Sequence, residues 1–292
     1  MSMTGILVVD KKEGWTSSDV VAKLRGILHE RRIGHVGTLD PLATGLLVVM
    51  VGQAAKASDY LMHHDKHYTA HLRLGLTTDT QDITGRILSE VKCSVTSEML
   101  QSVLPSFLGE SEQIPPMYSA IKIGGQKLYD IARKGGEVER KPRKINIPFL
   151  AMTGLAGEDY ILDIDCSAGT YIRTLCNDIG QQLGCGGVMT ALRRTASGIF
   201  RVEDAHTVSQ IAEAVRNGRT DSLLIPVDRA FGEYPAIQVS EEDSERICHG
   251  NPIENKAEDG LYRVYDASRF LMLGRQDHGF LKIEKAFYGV NQ

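Results

Sequence analysis

Hydrophobic and polar positions recur along this chain with two different periods, and the change from one to the other marks its elements. Gly5 to Asp10 (G-I-L-V-V-D) is short, unbroken and β-rich, the pattern of a buried strand. Thr16 to Asp19 offers a Ser or Thr N-cap. Behind it Val20, Val21, Leu24, Ile27 and Leu28 fall on one side of a 3.6-residue period, which predicts a helix. Gly34 to Asp40 holds two glycines and shows no period, so it is expected to be loop. Leu46 to Val51 predicts a second buried strand. From Tyr68 to Leu74 the period is two: Tyr68, Ala70, Leu72 and Leu74 share one face, and Thr69, His71 and Arg73 the other. Gln113 to Gly125 carries Pro115-Pro116 and Gly124-Gly125 and is expected to be loop around a short strand, Ala120 to Ile123. Tyr160 to Cys166 alternates as a strand, and Tyr171 to Leu183 predicts a helix. Strands and helices mix without a regular βαβ rhythm, so the expected class is α+β.

The character changes near Tyr234-Pro235. A short acidic helix and the turn Gly250-Asn251-Pro252 lead into three β-rich pieces, L-Y-R-V-Y, R-F-L-M-L-G and G-F-L-K-I. These predict a small β-barrel-type module, so the division expected is 1–232 and 233–292. The length, 292 residues, suits one or two domains of about 150 each, with enough chain to bury a core without disulfide or metal staples. No apolar run approaches the ~20 residues that cross a bilayer, and the start lacks a basic segment followed by a long apolar one. The expectation is a cytoplasmic protein with no membrane segment. Five cysteines (Cys93, Cys166, Cys176, Cys185, Cys248) make no C-x-x-C pair and are expected to be reduced thiols scattered through the core.

Charge is uneven. The formal net charge is −4, yet Lys122 to Lys144 carries a local +5 and Lys23 to His35 a local +3, while 238–260 carries −5. Any one such run is ordinarily a solvated face. Two basic runs in an acidic chain favour a polyanion partner.

Several side chains could carry chemistry. Asp40 sits in G-T-L-D-P-L-A-T-G, where Pro41 keeps the preceding residue out of the α region. Such a carboxylate is either a nucleophile or acid/base group on a braced loop, or a turn-forming Asp bonded to its own backbone. His35, five residues earlier, is either an exposed loop histidine or a group that stacks on a base or meets phosphate. His63, His64, His67 and His71 tempt a metal reading, but i, i+4 spacing shares a face only on a helix and Tyr68 onward alternates as a strand. No metal is expected. Arg173, in C-S-A-G-T-Y-I-R-T-L, is a surface residue or a fixed guanidinium offering bidentate contact to a buried carboxylate. Phosphate-binding and dinucleotide glycine motifs are absent, as is a G-x-S-x-G elbow, so no nucleotide cofactor is expected.

Together these segments resemble the bacterial tRNA pseudouridine-55 synthases, the TruB family. Eight blocks carry the resemblance in order: V-D-K-K-E-G-W-T-S (9–17), G-H-V-G-T-L-D-P-L-A-T-G-L-L (34–47), K-H-Y-T-A (66–70), G-L-T-T-D-T-Q-D (75–82), P-P-M-Y-S-A-I-K (115–122), Y-D-I-A-R-K-G (129–135), C-S-A-G-T-Y-I-R-T-L (166–175) and L-R-R-T-A-S-G (192–198). Two departures are small. Lys12 stands where the family usually has proline, and 52–56 is G-Q-A-A-K rather than a block ending in A-T-K.

The resemblance implies a pseudouridine-synthase catalytic fold with a mixed, mostly antiparallel sheet, followed by a PUA-like RNA-binding module. It implies isomerisation of uridine 55 in the T-loop of transfer RNA, without metal or cofactor, by a monomer. Asp40 takes the nucleophile position and Arg173 pairs with it, keeping it ionised, so that activity is expected to persist well below neutral pH. Tyr68 would stack on the uracil and handle a proton. Tyr171 and Leu192 match further uracil-pocket positions, and His35 would meet the flipped nucleotides. Lys23, Arg31 and Arg32 from one basic run, and Lys122, Lys127, Arg133, Arg140, Lys141, Arg143 and Lys144 from the other, are the expected contacts to RNA phosphates. The competing readings are a non-catalytic RNA-binding or RNA-chaperone protein on the same fold, and a carboxylate-based glycoside hydrolase using Asp79 or Asp82 as a second acid.

Overall fold

The computed structural model describes residues 3–119 and 121–288, the side chains of Lys122 and Lys127 excepted. The expected strand start at Ala120 and those two expected RNA contacts therefore lie outside the described residues. The frame is a sheet whose central path runs Gly5–Lys11, Thr44–Val51, Gly187–Ser197, Lys66–Leu74, Asp159–Cys166 and Phe149–Ala156. Every neighbour on that path pairs antiparallel except Thr44–Gly45 against Arg193–Arg194, which run parallel. The sheet is thus mixed and mostly antiparallel.

The unbroken apolar runs mark strands covered on both sides. In Gly5–Lys11 (β1) and Thr44–Val51, residues Leu7, Val9, Leu47, Val49 and Val51 face one core. Their alternates Ile6, Val8, Leu46, Val48 and Met50 face a second. The first core is covered by helix α1 (Ser17–Leu28) and by Ile172–Gln182. Helix α1 begins where the sequence places it: the Thr16 hydroxyl accepts from the Asp19 N–H, and the Asp19 carboxylate accepts from the Thr16 N–H at 2.8 Å, a reciprocal cap.

The second core is shared with the C-terminal module. That module is a five-stranded sheet ordered Ala236–Gln238, Gly260–Tyr265, Phe270–Asp277, Phe280–Ala286 and Ile253–Glu254, the half-barrel expected of a PUA-like unit. Phe231, Phe270 and Phe287 meet at ring-centroid distances of 5.3–6.0 Å beneath the first sheet. Each fully buried phenyl contributes roughly 1.5–3 kcal/mol, so the module is seated on the sheet by a common aromatic core.

Two expectations are corrected. Gly34 to Val36 is not loop: Ile33–Val36 (β2) pairs antiparallel with the Thr44–Val51 strand, His35 opposite Val49. A four-residue strand starting Ile-Gly is too short to show a period of its own, and its partner supplies the order. The cysteines are not uniformly scattered core thiols either. Cys166 and Cys176 are buried, but Cys93 and Cys185 are half-buried neighbours with their sulfurs 3.0 Å apart. Among the described residues, no helix is long and apolar enough to cross a membrane.

Candidate active site

Asp40 occupies a loop held from several sides. The Ser17 hydroxyl, at the buried start of α1, accepts from the Leu39 N–H at 2.9 Å and donates to the Leu39 carbonyl at 3.2 Å. The Gly14 N–H donates to the Pro41 carbonyl at 2.8 Å. Lys11 is fully buried, and its ammonium donates to the carbonyls of Lys12, Trp15 and Pro41. Burial pushes that ammonium down to about 8, against the pull of Asp40 and Glu13. The loop leaves through Gly45, at φ +93°, where a Cβ would come 2.3 Å from the Arg194 carbonyl oxygen. Only glycine lets the two strands meet there.

Arg173 stands behind the carboxylate. It belongs to the first turn of the helix Ile172–Gln182 and is 4% exposed, whereas the Asp40 side chain is 40% exposed. Arg173 Nε lies 2.9 Å from Asp40 Oδ2. The expected bidentate fork is not formed: Nη1 donates to the Thr80 carbonyl at 2.8 Å and Nη2 to the Tyr118 carbonyl at 2.7 Å. Two backbone carbonyls fix the guanidinium, and the Nε–H is left to orient the carboxylate. The charge is shared with Asp82, whose Oδ2 is 3.7 Å from Nη1. Asp82 is buried, and its Oδ1 accepts from the Thr80 hydroxyl, the Thr84 N–H and the Thr84 hydroxyl. A carboxylate so saturated is a support for Arg173, not a free second acid for glycoside hydrolysis. Its role was missed in the sequence, where the block G-L-T-T-D-T-Q-D carried the only signal.

The other predicted residues gather nearby. Tyr68, on the Lys66–Leu74 strand, is 7% exposed and faces the first core with Leu192, at 8%. Burial holds the Tyr68 phenol above its usual range, with Arg194 opposing, close enough to hydrogen-bond its hydroxyl. Arg194, two residues beyond Leu192 on the same strand face, is a second missed residue. It is 1% exposed and donates to the Leu46 carbonyl at 2.7 Å and the Gly37 carbonyl at 2.8 Å. Tyr171 caps the Arg173 helix, and its backbone is bonded twice by the Gln113 amide, at 2.8 and 3.1 Å. Burial raises the Tyr171 phenol too, and Arg143 is near enough to counter part of that rise. His35 is partly buried on β2. Its Nδ1 makes no hydrogen bond among the described residues, and burial, then Arg194, lower its pKa, so it is neutral at pH 7.

The expected depression of the Asp40 pKa is not found. Enclosure of the carboxyl raises it, Arg173 pulls it down, and Asp82 adds a second upward push. Desolvation and the neighbouring negative charge outweigh one guanidinium that is itself divided between two carboxylates.

The basic residues are mostly exposed. Lys23 is on the outer face of α1, Arg31 and Arg32 follow it, and Arg133, Lys141, Arg143 and Lys144 point to solvent. Arg32 pairs with Glu30 at 3.8 Å. Arg140 is half-buried and donates to the Pro115 carbonyl at 3.1 Å. The basic segment reaches the site through register: Arg143 lies opposite Gln113, the residue that holds Tyr171.

The histidines lie elsewhere. His63 ends the helix Ser58–Met62, and His67 and His71 sit on the strand face opposite Tyr68, so no helix presents them together. His63, His64 and His67 line a polar groove of about 900 Å³ with Asp163, Asp165 and Glu203. The one metal-competent trio of side chains among the described residues is Asp259, Asp277 and His278 in the C-terminal module, where Lys282 already pairs with Asp277 at 2.6 Å.

Comparison with known proteins places the whole chain. Residues 25–172 match the N-terminal domain of the TruB family pseudouridylate synthases, residues 173–232 the C-terminal domain of tRNA pseudouridylate synthase B, and residues 235–283 the C-terminal unit of pseudouridine synthase II TruB. A tRNA pseudouridine synthase B of Stutzerimonas stutzeri is 42% identical over 278 residues, 93% of this chain and 91% of the relative. One from Clostridium kluyveri is 40% identical over 292 residues, covering 98% of this chain and all of the relative. In fold, the chain is similar to the protein in a Cbf5-Nop10-Gar1 complex, with TM-score 0.74, 24% identity and coverage of 97% of this chain and 84% of that one. It is similar also to one in an H/ACA RNP bound to a substrate RNA containing 2'-deoxyuridine, with TM-score 0.73, 22% identity and the same coverages. Relatives this similar across nearly the whole length, and family domains that follow one another along it, show that the chain belongs to the TruB family of pseudouridine synthases.

Proposed function

We propose that this chain converts uridine 55 in the T-loop of transfer RNA to pseudouridine, with Asp40 as nucleophile. The observation that supports this best is a carboxylate open on one side, fixed behind by Arg173 at 2.9 Å, with its charge felt by the Tyr68 phenol. The target base leaves the stack at a cost of a few kcal/mol, and stacking on an aromatic ring returns about 1–3. Tyr68 supplies that ring, and Leu192 and Tyr171 wall the uracil so that it cannot leave once its N1–C1′ bond is broken. The uracil turns, C5 bonds to C1′, and the proton on C5 departs. Asp40 assists at the sugar or at C6, Arg173 orients it, and the Tyr68 hydroxyl, kept neutral by burial, relays the proton, giving its own toward N1 as it takes the one that leaves C5, so that none is gained or lost. Arg194 positions that hydroxyl. His35, neutral and lacking a partner on Nδ1, faces the flipped nucleotides.

The phosphates fall to Lys23, Arg31, Arg32, Arg133, Lys141, Arg143 and Lys144, with Arg140 as a brace. Residues 1–232 form the catalytic unit and 233–292 the PUA-like RNA-binding module. The protein acts in the cytoplasm, as a monomer, without metal or cofactor.

The test is Asp40→Asn incubated with a T-stem-loop transcript and scored for pseudouridine by carbodiimide-primer extension. Loss of product with retained RNA binding is expected; turnover near wild type removes Asp40 as nucleophile. A transcript with cytidine at position 55 should give no product at any other uridine, and product elsewhere would overturn the position.

A further inference from the structure

We propose that Cys93 and Cys185 are a thiol-oxidation site that closes reversibly to a disulfide by exchange with a small-molecule disulfide of the oxidised-glutathione class. Their sulfurs are 3.0 Å apart across a separation of 92 residues, and a disulfide needs them only about 1 Å closer. The approach is built by the backbone, independently of the sulfurs. The Gly75 N–H donates to the Gly186 carbonyl at 3.0 Å, and the Val91 N–H donates to the Gly75 carbonyl at 2.8 Å. Cys93 lies two residues beyond Val91 and Cys185 one before Gly186, so one strand end holds both segments side by side. At Gly75, φ +85°, a Cβ would come 2.6 Å from the Val91 carbonyl oxygen and 3.1 Å from Cys93 Cβ, which shows how tightly the three segments converge. Both cysteines are half-buried, open enough for a small disulfide to reach them.

The chemistry balances without a metal or a bound oxidant. The Cys185 S–H donates to the Gly186 carbonyl, and burial with the adjacent sulfur pushes its pKa up to about 11. Either thiol can open the exchange as its thiolate. With Cys93 first, it forms a bond to one sulfur of the small disulfide and expels the other half as a thiol. Cys185 then displaces the remaining half, forming the Cys93–Cys185 bond. Two protein thiols are oxidised, one small disulfide is reduced, and the two protons leave on two small thiols. The bond would join the loop after the strand Ile87–Glu90, the far arm of the hairpin that carries Thr80 and Asp82, to the loop after the Arg173 helix. The hairpin that holds Arg173 and the helix that carries it would then share one covalent link.

The test uses the full-length reduced protein exposed to oxidised glutathione. The expected result is a mass lower by two hydrogens, a non-reduced tryptic peptide joining Cys93 to Cys185, and reversal by dithiothreitol. Tm should rise by about 5 °C or more on oxidation, a rise that Cys93→Ser and Cys185→Ser each abolish and Cys248→Ser leaves intact. A stable glutathione adduct without a cross-link, a cross-link to another cysteine, or an unchanged mass would overturn the proposal.

Discussion

Two buried guanidiniums flank the site, and they are handled in opposite ways. Arg173 faces two carboxylates, Asp40 and Asp82, and two carbonyls. Arg194 makes no ion pair among the described residues and is held by the carbonyls of Leu46 and Gly37 beside the Tyr68 hydroxyl. The first arrangement lets a negative group stay reactive while its position is fixed. The second keeps a positive charge beside a phenol with no anion to cancel it. Arg173 is thus tied to Asp40, and Arg194 to the strand seam beside Tyr68.

That contrast can be broken. Arg173→Lys keeps a charge but loses the fan of three nitrogens, and the single-turnover rate should fall by about 10²–10³-fold with T-stem-loop affinity nearly unchanged. An equal fall in affinity would mean that Arg173 binds substrate. Arg194→Met should act chiefly on stability. It strands two buried carbonyls at ~1–3 kcal/mol each, and calorimetry should show Tm lower by about 5–15 °C. A normal Tm with a large loss of rate would erase the distinction between the two arginines. A pH profile sharpens it further. Because the Asp40 pKa is raised, the reactive carboxylate is lost as pH falls through a value above the usual carboxylate range, so the acid limb of the single-turnover rate should begin higher than for an exposed aspartate. Asp82→Asn removes a neighbouring negative charge and should move that limb to lower pH; movement upward would contradict the assignment. Smallest of all, Lys144→Ala, an exposed charge against two buried ones, should reduce the slope of log affinity on log salt by about 0.7–0.9 and leave the rate at saturation alone.

Much of this was legible in the residues, for a physical reason. A strand covered on both faces must be apolar throughout, and a capped amphipathic helix must show its period, so Gly5–Lys11, Thr44–Val51 and α1 declare themselves locally. Asp40, Tyr68 and Arg173 were legible as members of ordered blocks. His35 on a strand was not, because its order comes from pairing with Val49. Arg194 could have been found: with Leu192 facing inward, a period of two puts residue 194 inward as well, and a charged side chain there demands partners. The shift at Asp40 was hidden, since the sequence offers Arg173 as a partner but does not reveal that Asp82 competes for it.

The short parallel seam at Gly45 has a consequence in time. It joins the carbonyl of Leu46 to a guanidinium 148 residues later in the chain, and the Asp40 loop is anchored on the near side of that seam. A nascent chain that has emerged only as far as Tyr171 carries Asp40 but neither Arg173 nor Arg194. Contacts so distant in sequence form slowly. During synthesis Asp40 therefore emerges before either arginine exists, and its surroundings are completed only when the Gly187–Ser197 strand docks between the two halves of the sheet.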